Sequence, residues 1–350
     1  MIAKGRAPMR QDAGQALMRL VWGYTSTGLV VAALRLDLPD RLADRTRSTA
    51  DLADELGVHE PSLRRLLRAL TAIGLTSEPH AGHYALTSVG TLLRKDVPDS
   101  LHAVVRVSTD ETILRGWRDL DWSVRTGQIA FNRVYGTDFF THIAEDAELS
   151  ALFNASMGEG TTETAEAIAK HYDFSRFGTV MDVGGGNGTL IAAILTAEPR
   201  LRGIVFDSEE GVEQAAGVLA DAGVADRCEV TAGDFFREVP KGADLLLLKN
   251  ILHDWDDTQA AAILTNCRAA IPADGRLVLV ESVLPATPEP GGPPDDYLMD
   301  INMLVNFGGR ERTEGEFHAL LTAAGFQPRH AVRVGELDDH LIEAVPVTRS

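Results

Sequence analysis

Residues 181–190 read MDVGGGNGTL, an apolar run that gives way to four glycines in five positions and then opens a helical stretch, GTLIAAILTAE. A strand that turns on glycine into a helix lets a ligand approach the main chain, because glycine has no side chain in the way and accepts tight backbone angles. The spacing fails the dinucleotide fingerprint, which needs glycines at i, i+2 and i+5. From Gly184 the last position is Thr189, and from Gly186 it is Ile191. Asp182 stands two residues before the first glycine. A carboxylate there repels a pyrophosphate and attracts an ammonium or sulfonium. The plainer alternative is a structural strand-to-helix turn, which needs fewer glycines.

From Thr179 onward strands and helices alternate. VMDV, RGIVFD, CEVTAGD, ADLLLLK and RLVLVE read as strands, with GTLIAAILTAE, EEGVEQAAGVLADAG and TQAAAILTNCRAAI as helices between them. That order predicts an α/β fold, a parallel sheet with helices on both faces. GFQPRHAVRV and HLIEAVPV are expected to close it as two more strands. The second strand ends in Asp207, placed to accept hydrogen bonds from ribose hydroxyls. The third ends in GDFF, offering Asp234 to a base amino group and Phe235 as an apolar wall. Together with Gly184, Gly186 and Asp182, these residues predict a nucleoside ligand with a cationic tail and no phosphates: S-adenosylmethionine.

In a doubly wound sheet, ligands bind beyond the carboxyl ends of the strands, where the strand order reverses. The fourth strand ends at Lys249, and LKNILHDWDD follows it, so His253 falls on the cofactor side. Glu281 ends the fifth strand and reaches the same crevice. His253 has three readings: a general base held in one tautomer by a carboxylate, a metal ligand, or a structural histidine. Metal binding is poorly supported, since no His or Cys lies nearby to complete a ligand set, and the base is favoured. Asp256 with Gln259 reads as a helix N-cap and its partner. Glu311 precedes Thr313 and Glu316, a capping box, so its plain reading is an acid near a helix start.

The N-terminal part is different in kind. Residues 10 to 38 read as a helix apolar almost all round, of the type buried in a core or against a second chain. STADLADELGV and HEPSLRRLLRALTAIGL form a helix-turn-helix pattern, with Leu63, Leu66, Leu67 and Leu70 on one face and Arg64, Arg65 and Arg68 on others. LTSEPHAGHYALTS follows as a two-stranded wing. The arginine face could lie on DNA phosphates or could simply be solvated. Residues 98 to 172 read as helices broken by a loop around GQIAFNRVYGTD.

A formal net charge of -18 over 350 residues argues against nucleic acid as the main partner. A hydrophobic fraction of 45% suits a globular core. The apolar runs are too short for a membrane span, and MIAKGRAPMRQDAG lacks the apolar stretch of a signal peptide. Cys228 and Cys267 make no disulfide framework and have no metal-ligand spacing. The expectation is a cytoplasmic protein that uses neither nucleic acid nor membrane.

MDVGGGNGTL, GDFF, LKNILHDWDD, VLVESVLP and GGRERTEGEF together resemble the S-adenosylmethionine-dependent small-molecule O-methyltransferases, the family of plant caffeate-type enzymes and bacterial antibiotic-pathway methyltransferases. The resemblance covers nearly the whole chain. It implies a mostly helical winged-helix dimerisation domain over residues 1–100, a helical linker contributing to the substrate pocket over 101–173, and a Rossmann-like methyltransferase domain over 174–350. It implies His253 as the base, Glu281 and Glu311 as the acids that orient it, and Gly184, Asp207, Asp234, Phe235 and Lys249 as cofactor contacts. Met157, Met303 and Asn306 match positions lining the acceptor pocket, with Asn302 as the alternative to Asn306. It further implies a homodimer, S-adenosylhomocysteine as product, and a small aromatic acceptor methylated on a phenolic or enolic hydroxyl. The alternatives are the same fold with other chemistry (C-methylation, decarboxylation or hydroxylation) and a winged-helix regulator that senses S-adenosylmethionine.

Overall fold

The computed structural model describes residues 7–158, 161–289, 292, 294–335 and 337–347. Of the opening MIAKGRAPMRQDAG, where the absence of an apolar leader was noted, residues 1–6 lie outside that range. The chain divides into two compact units. One runs to Leu114 with a return segment from Asp146; the other comprises Arg115–Glu145 and the chain beyond residue 160. The helical stretch expected over 101–173 is therefore shared between them.

In the first unit, the expected single helix is two, Ala7–Val21 and Gly23–Arg35, bent by 41°. Gly23 is a weak helix former, and the hydroxyl of Thr25 donates to Trp22 O at 2.7 Å, which competes with helix propagation. No single helix among the described residues is long and apolar enough to cross a membrane. Strand β1 (Arg47–Ser48) leads into the helix Thr49–Leu56, where Ser48 Oγ accepts from Asp51 N–H and Gly57, at φ +64°, ends the turn. The helix Glu60–Ala72 buries Leu63, Leu67 and Leu70 against Leu38, Leu42, Leu52 and Tyr84. Arg64, Arg65 and Arg68 face outward, and Arg64 pairs with Glu60. Strands β2 (Thr76–His80) and β3 (His83–Leu86) form the wing, with β1 pairing beside β3.

The second unit is a mixed sheet. Its strands are β4 (Thr179–Val183), β5 (Arg202–Asp207), β6 (Cys228–Ala232), β7 (Leu245–Lys249), β8 (Arg276–Leu284), β9 (Arg312–Thr313), β10 (Phe326–Pro328), β11 (Val332–Arg333) and β12 (Asp339–Pro346). The order is β10-β12-β8-β7-β4-β5-β6, with β9 pairing β8 and β11 pairing β12. The five strands β4 to β8 are parallel to one another, and β12 enters antiparallel to β8. Helices cover both faces, so the central strands are apolar throughout, as in the wholly buried LLLL of β7. The chain leaves β4 toward β5 on one side and returns to β7 on the other, which makes the β4/β7 boundary the switch point.

Two local expectations give way. GFQPRHAVRV is two short strands because the chain steps out between Pro328 and Val332, where Arg329 N–H donates to Glu343 O at 2.7 Å. The expected loop GQIAFNRVYGTD contains a short helix, Ala130–Tyr135, set off by left-handed glycines at 127 and 136, with Phe131 buried at its centre.

Candidate active site

The loop after β4 is shaped by backbone angles open to glycine. Gly184, Gly186 and Gly188 sit at φ +77°, +51° and +77°. A Cβ on Gly184 would lie 2.3 Å from Ile251 Cδ1, so a side chain there would force Ile251 to move in addition to straining the backbone. Gly186 N–H donates to Asp207 Oδ2 at 2.9 Å, and Ser208 N–H donates to Asp207 Oδ1. Asp207 thus closes the loop while keeping lone pairs for further donors. Asp182 is buried beneath, and burial pushes its carboxyl up to about 7 although Lys249 opposes the shift. Asp234 is exposed and accepts from Phe236 N–H at 2.8 Å. Asn266 Nδ2 pins that turn through the carbonyls of Phe235 and Phe236, and the Phe235 ring packs edge-on to Trp255.

This cleft fits S-adenosylmethionine on its own terms. The glycines leave the main chain open, the acids after β5 and β6 suit the hydroxyls and amino group of a nucleoside, and Phe235 supplies an apolar face.

The loop after β7 begins with Asn250 at φ +53°, a conformation asparagine tolerates better than most residues. A short turn, Leu252–Asp254, presents His253. His253 Nδ1 lies 3.1 Å from Glu311 Oε1, and an ionised carboxylate only accepts, so Nδ1 carries the hydrogen. In the neutral ring Nε2 is then the basic atom, and Asp254 Oδ1 stands 3.5 Å from it. The ring is 22% exposed. Burial disfavours its charge, but the Glu311 bond and the carboxylates of Asp254, Glu281 and Glu311 prevail and raise its pKa to about 10.

Glu281 does not touch the ring. Its Oε1 accepts from the backbone N–H of Ile251 and Leu252 at 3.1 and 2.8 Å, so it holds the loop and acts on His253 only through its charge. The side chain is wholly buried, with Oε2 unpaired, and burial pushes its pKa to about 7. Glu311 is nearly as deep, and Asp300 Oδ1 fixes its N–H at 2.9 Å. The Asp256 and Thr313 caps form as expected, Thr313 and Glu316 as a full capping box.

Met303 and Asn306 lie in a π-helical segment, Met303–Phe307, and both are buried. Asn306 Nδ2 donates to Asn302 Oδ1 at 2.9 Å, and Trp117 Nε1 donates to the same oxygen at 3.2 Å. Asn302 is partly exposed, whereas Asn306 is buried. Met157 is exposed on the helix Ala147–Gly158 of the first unit, apart from these residues in the chain's division. A cavity of about 1000 Å³ opens beside the loop, among Trp122, Asn132, Phe140, Asp254, Trp255 and Phe307. Sequence reasoning missed Asp254, Ile251, Asp300, Trp117 and Arg312. Asp254 and Arg312 lay inside motifs already singled out, but nothing local revealed what they would touch.

A methyltransferase-type sheet with a glycine loop for a nucleoside and a carboxylate-held histidine defines the class. The chain matches the O-methyltransferase domain over residues 117–327 and the O-methyltransferase dimerisation domain over residues 18–96. It is 48% identical over 338 residues to O-demethylpuromycin-O-methyltransferase of Streptomyces alboniger, covering 96% of this chain and 90% of that one. The solved structure of the mitomycin 7-O-methyltransferase MmcR aligns with a TM-score of 0.88 at 34% identity, over 97% of this chain and 99% of that one. NcsB1, an O-methyltransferase from neocarzinostatin biosynthesis solved with S-adenosylmethionine and 2-hydroxy-5-methyl naphthoic acid, aligns at 0.76 and 35% identity, over 92% and 96%. The chain belongs to the O-methyltransferase family and is an S-adenosylmethionine-dependent enzyme.

Proposed function

We propose that this enzyme methylates a phenolic or enolic hydroxyl of a small aromatic natural product, with His253 as general base. The observation that carries the reading is the Nδ1–Glu311 bond, which directs the basic lone pair to Nε2. The acceptor class is supported by the aromatic hydroxy acid held in NcsB1. The sulfonium of S-adenosylmethionine supplies an electrophilic methyl group. Gly184, Gly186, Asp207, Asp234, Phe235 and Lys249 are proposed to hold that cofactor, with Asp182 beneath the loop; Met157, Asn302, Met303 and Asn306 are proposed to line the acceptor site.

Proton transfer from a phenol near pKa 10 to an ordinary imidazole near 6.5 costs about 5 kcal/mol. The carboxylates around His253 raise its proton affinity toward that of the phenol, so the transfer step itself becomes nearly neutral. In exchange the ring must first lose the proton it holds at neutral pH. Alignment of the acceptor oxygen supplies the rest.

The exposed apolar side chains Leu17, Leu20, Val21, Trp22 and Tyr24 support a homodimer in which these helices are covered, and light scattering of the purified protein tests it. The enzyme is proposed to act in the cytoplasm. The primary test incubates the enzyme with S-adenosylmethionine and a panel of phenols, following S-adenosylhomocysteine and the product by mass spectrometry and NMR. O-methyl products are expected. Products methylated on carbon, or no methyl transfer to any phenol, would overturn the proposal.

A further inference from the structure

The segment that brings Glu311 to His253 supplies more than a carboxylate. Its next residue, Arg312, is 0% exposed and directs its donors to one loop. Nη1 donates to Leu252 O at 2.6 Å and Nη2 to Trp255 O at 2.7 Å. Nε and Nη2 both donate to Asp257 Oδ1, at 3.1 and 2.9 Å. These acceptors bracket His253 on both sides in sequence. Within the turn Leu252–Asp254 the Leu252 carbonyl accepts only a long bond from Trp255 N–H, at 3.3 Å, so Arg312 supplies its closer donor, and a buried carbonyl that is poorly paired is costly.

Two neighbours act on the same backbone. Arg310 N–H donates to His253 O at 2.8 Å, and Gly309 packs so closely that a Cβ there would lie 2.0 Å from that oxygen. Strand β9 starts at Arg312 and pairs with Val283 and Leu284 of β8, the strand that carries Glu281. The strap 309–312 is therefore fixed to the sheet at one end and to the histidine loop along its length.

We propose that Arg312 is a positioning residue for methyl transfer: its guanidinium fork sets the backbone from Leu252 to Asp257 at the height where His253 Nδ1 meets Glu311. Only a planar group with donors on two edges can reach two carbonyls and a carboxylate at once, which a lysine ammonium on a flexible stem cannot do. The adjacency of Glu311 and Arg312 makes one strap responsible for both the tautomer of the ring and the placement of its backbone. This inference rests on His253 being the base.

The test uses Arg312→Lys in the full-length enzyme, with S-adenosylmethionine and an accepted phenol. Three things are measured: cofactor affinity by calorimetry, kcat against KM, and the side-chain signal of His253 in a nitrogen-15 histidine-labelled sample. Cofactor affinity and acceptor KM are expected to stay within about threefold, while kcat falls about thirtyfold or more, the cost of a displaced reacting group. The Nδ1–H signal should shift or broaden. Wild-type kcat in the folded variant overturns the proposal. So does a fall in kcat matched by an equal loss of cofactor affinity with the His253 signal unchanged, which would mark a purely structural arginine. If Arg312→Lys does not fold, Asp257→Ala, which removes the acceptor that both Nε and Nη2 hold and so leaves the fork unanchored, decides. A smaller fall in kcat at unchanged cofactor affinity supports the proposal, and an unchanged kcat overturns it. His253→Gln separates the two ideas: full activity there removes the base, whereas a slow His253→Gln beside a fast Arg312→Lys removes only the positioning role.

Discussion

Two loops leave neighbouring strands at the same edge of the sheet, and they are held in opposite ways. The loop after β4 is a local construction of left-handed glycines, closed by one side chain, Asp207. The loop after β7 has one left-handed residue, Asn250, and depends on buried ionisable groups from distant positions: Glu281 at its backbone, Glu311 at its histidine and Arg312 at its carbonyls. The difference follows from their tasks. A loop that must let a ligand reach the main chain needs the absence of side chains. A loop that must hold one imidazole in one tautomer needs specific partners, and those partners have to be dry to act strongly. The two meet at Ile251, whose Cδ1 occupies the space a side chain on Gly184 would need.

The largest expected effect falls on the second loop. His253→Gln should lower turnover by about 10²- to 10⁴-fold, the usual contribution of a general base. Calorimetry should find cofactor affinity unchanged, since the change stays on the acceptor side. A variant that loses cofactor binding as well would collapse the distinction between the loops.

Gly184→Ala reverses that pattern. The added methyl meets Ile251 and the backbone angle disfavours it, so stability should fall by about 1–3 kcal/mol in denaturant titrations, with cofactor affinity down about tenfold or more. Gly186→Ala has open space at its Cβ and should cost only about 1 kcal/mol, from its backbone angle. Equal effects of the two would mean that contact with Ile251 does not link the loops. Combining Gly184→Ala with Ile251→Ala should recover part of the loss.

The pH profile sharpens the comparison further. Because carboxylates raise the pKa of His253, kcat/KM should climb with pH through the range above neutrality. Glu311→Gln removes one of those charges and should move the rising limb to lower pH while lowering its plateau. A cation bound in the same cleft opposes the carboxylates, so the limb in kcat should lie below the limb in kcat/KM. An unshifted limb in Glu311→Gln would separate the measured ionisation from His253.

The smallest effect concerns stability alone. The folded-state pKa of Asp182 is raised to about 7, above its unfolded value, so its contribution is fully present in acid and is lost as pH rises toward neutrality. Glu281, also raised to about 7, has the same sign and window. These two groups should therefore make the melting temperature of the wild type decline from about pH 4 to pH 7, and Asp182→Asn should flatten part of that decline. A variant whose profile overlays the wild type would show that burial of Asp182 is relieved in solution.

Much of the fold was legible because its signals are short in range. The alternation of β4 through β8 with helices shows in apolar runs whose length and spacing can be counted, and the caps at Asp256 and Thr313 formed as the sequence predicts. The single N-terminal helix was misjudged because composition registers apolarity but not the competing bond from Thr25 to Trp22 O. Arg64, Arg65 and Arg68 were separable from the buried leucines by helical period alone.

The sequence by itself determined that Asp182, the glycines, Asp207, Asp234 and Phe235 gather at one edge of the sheet, since they lie at or just after strand ends whose order is set by topology. It also brought His253 to the same edge. Only the tertiary structure decided how that histidine is held: that Glu281 serves the backbone and not the ring, that Glu311 fixes Nδ1, that Asp254 stands at Nε2, and that Arg312 locks the turn. Apart from Asp254, these partners lie about 30 to 60 positions from the loop. Their roles depend on which oxygen reaches which donor within a fraction of an ångström, and no pattern of neighbouring residues encodes that distance.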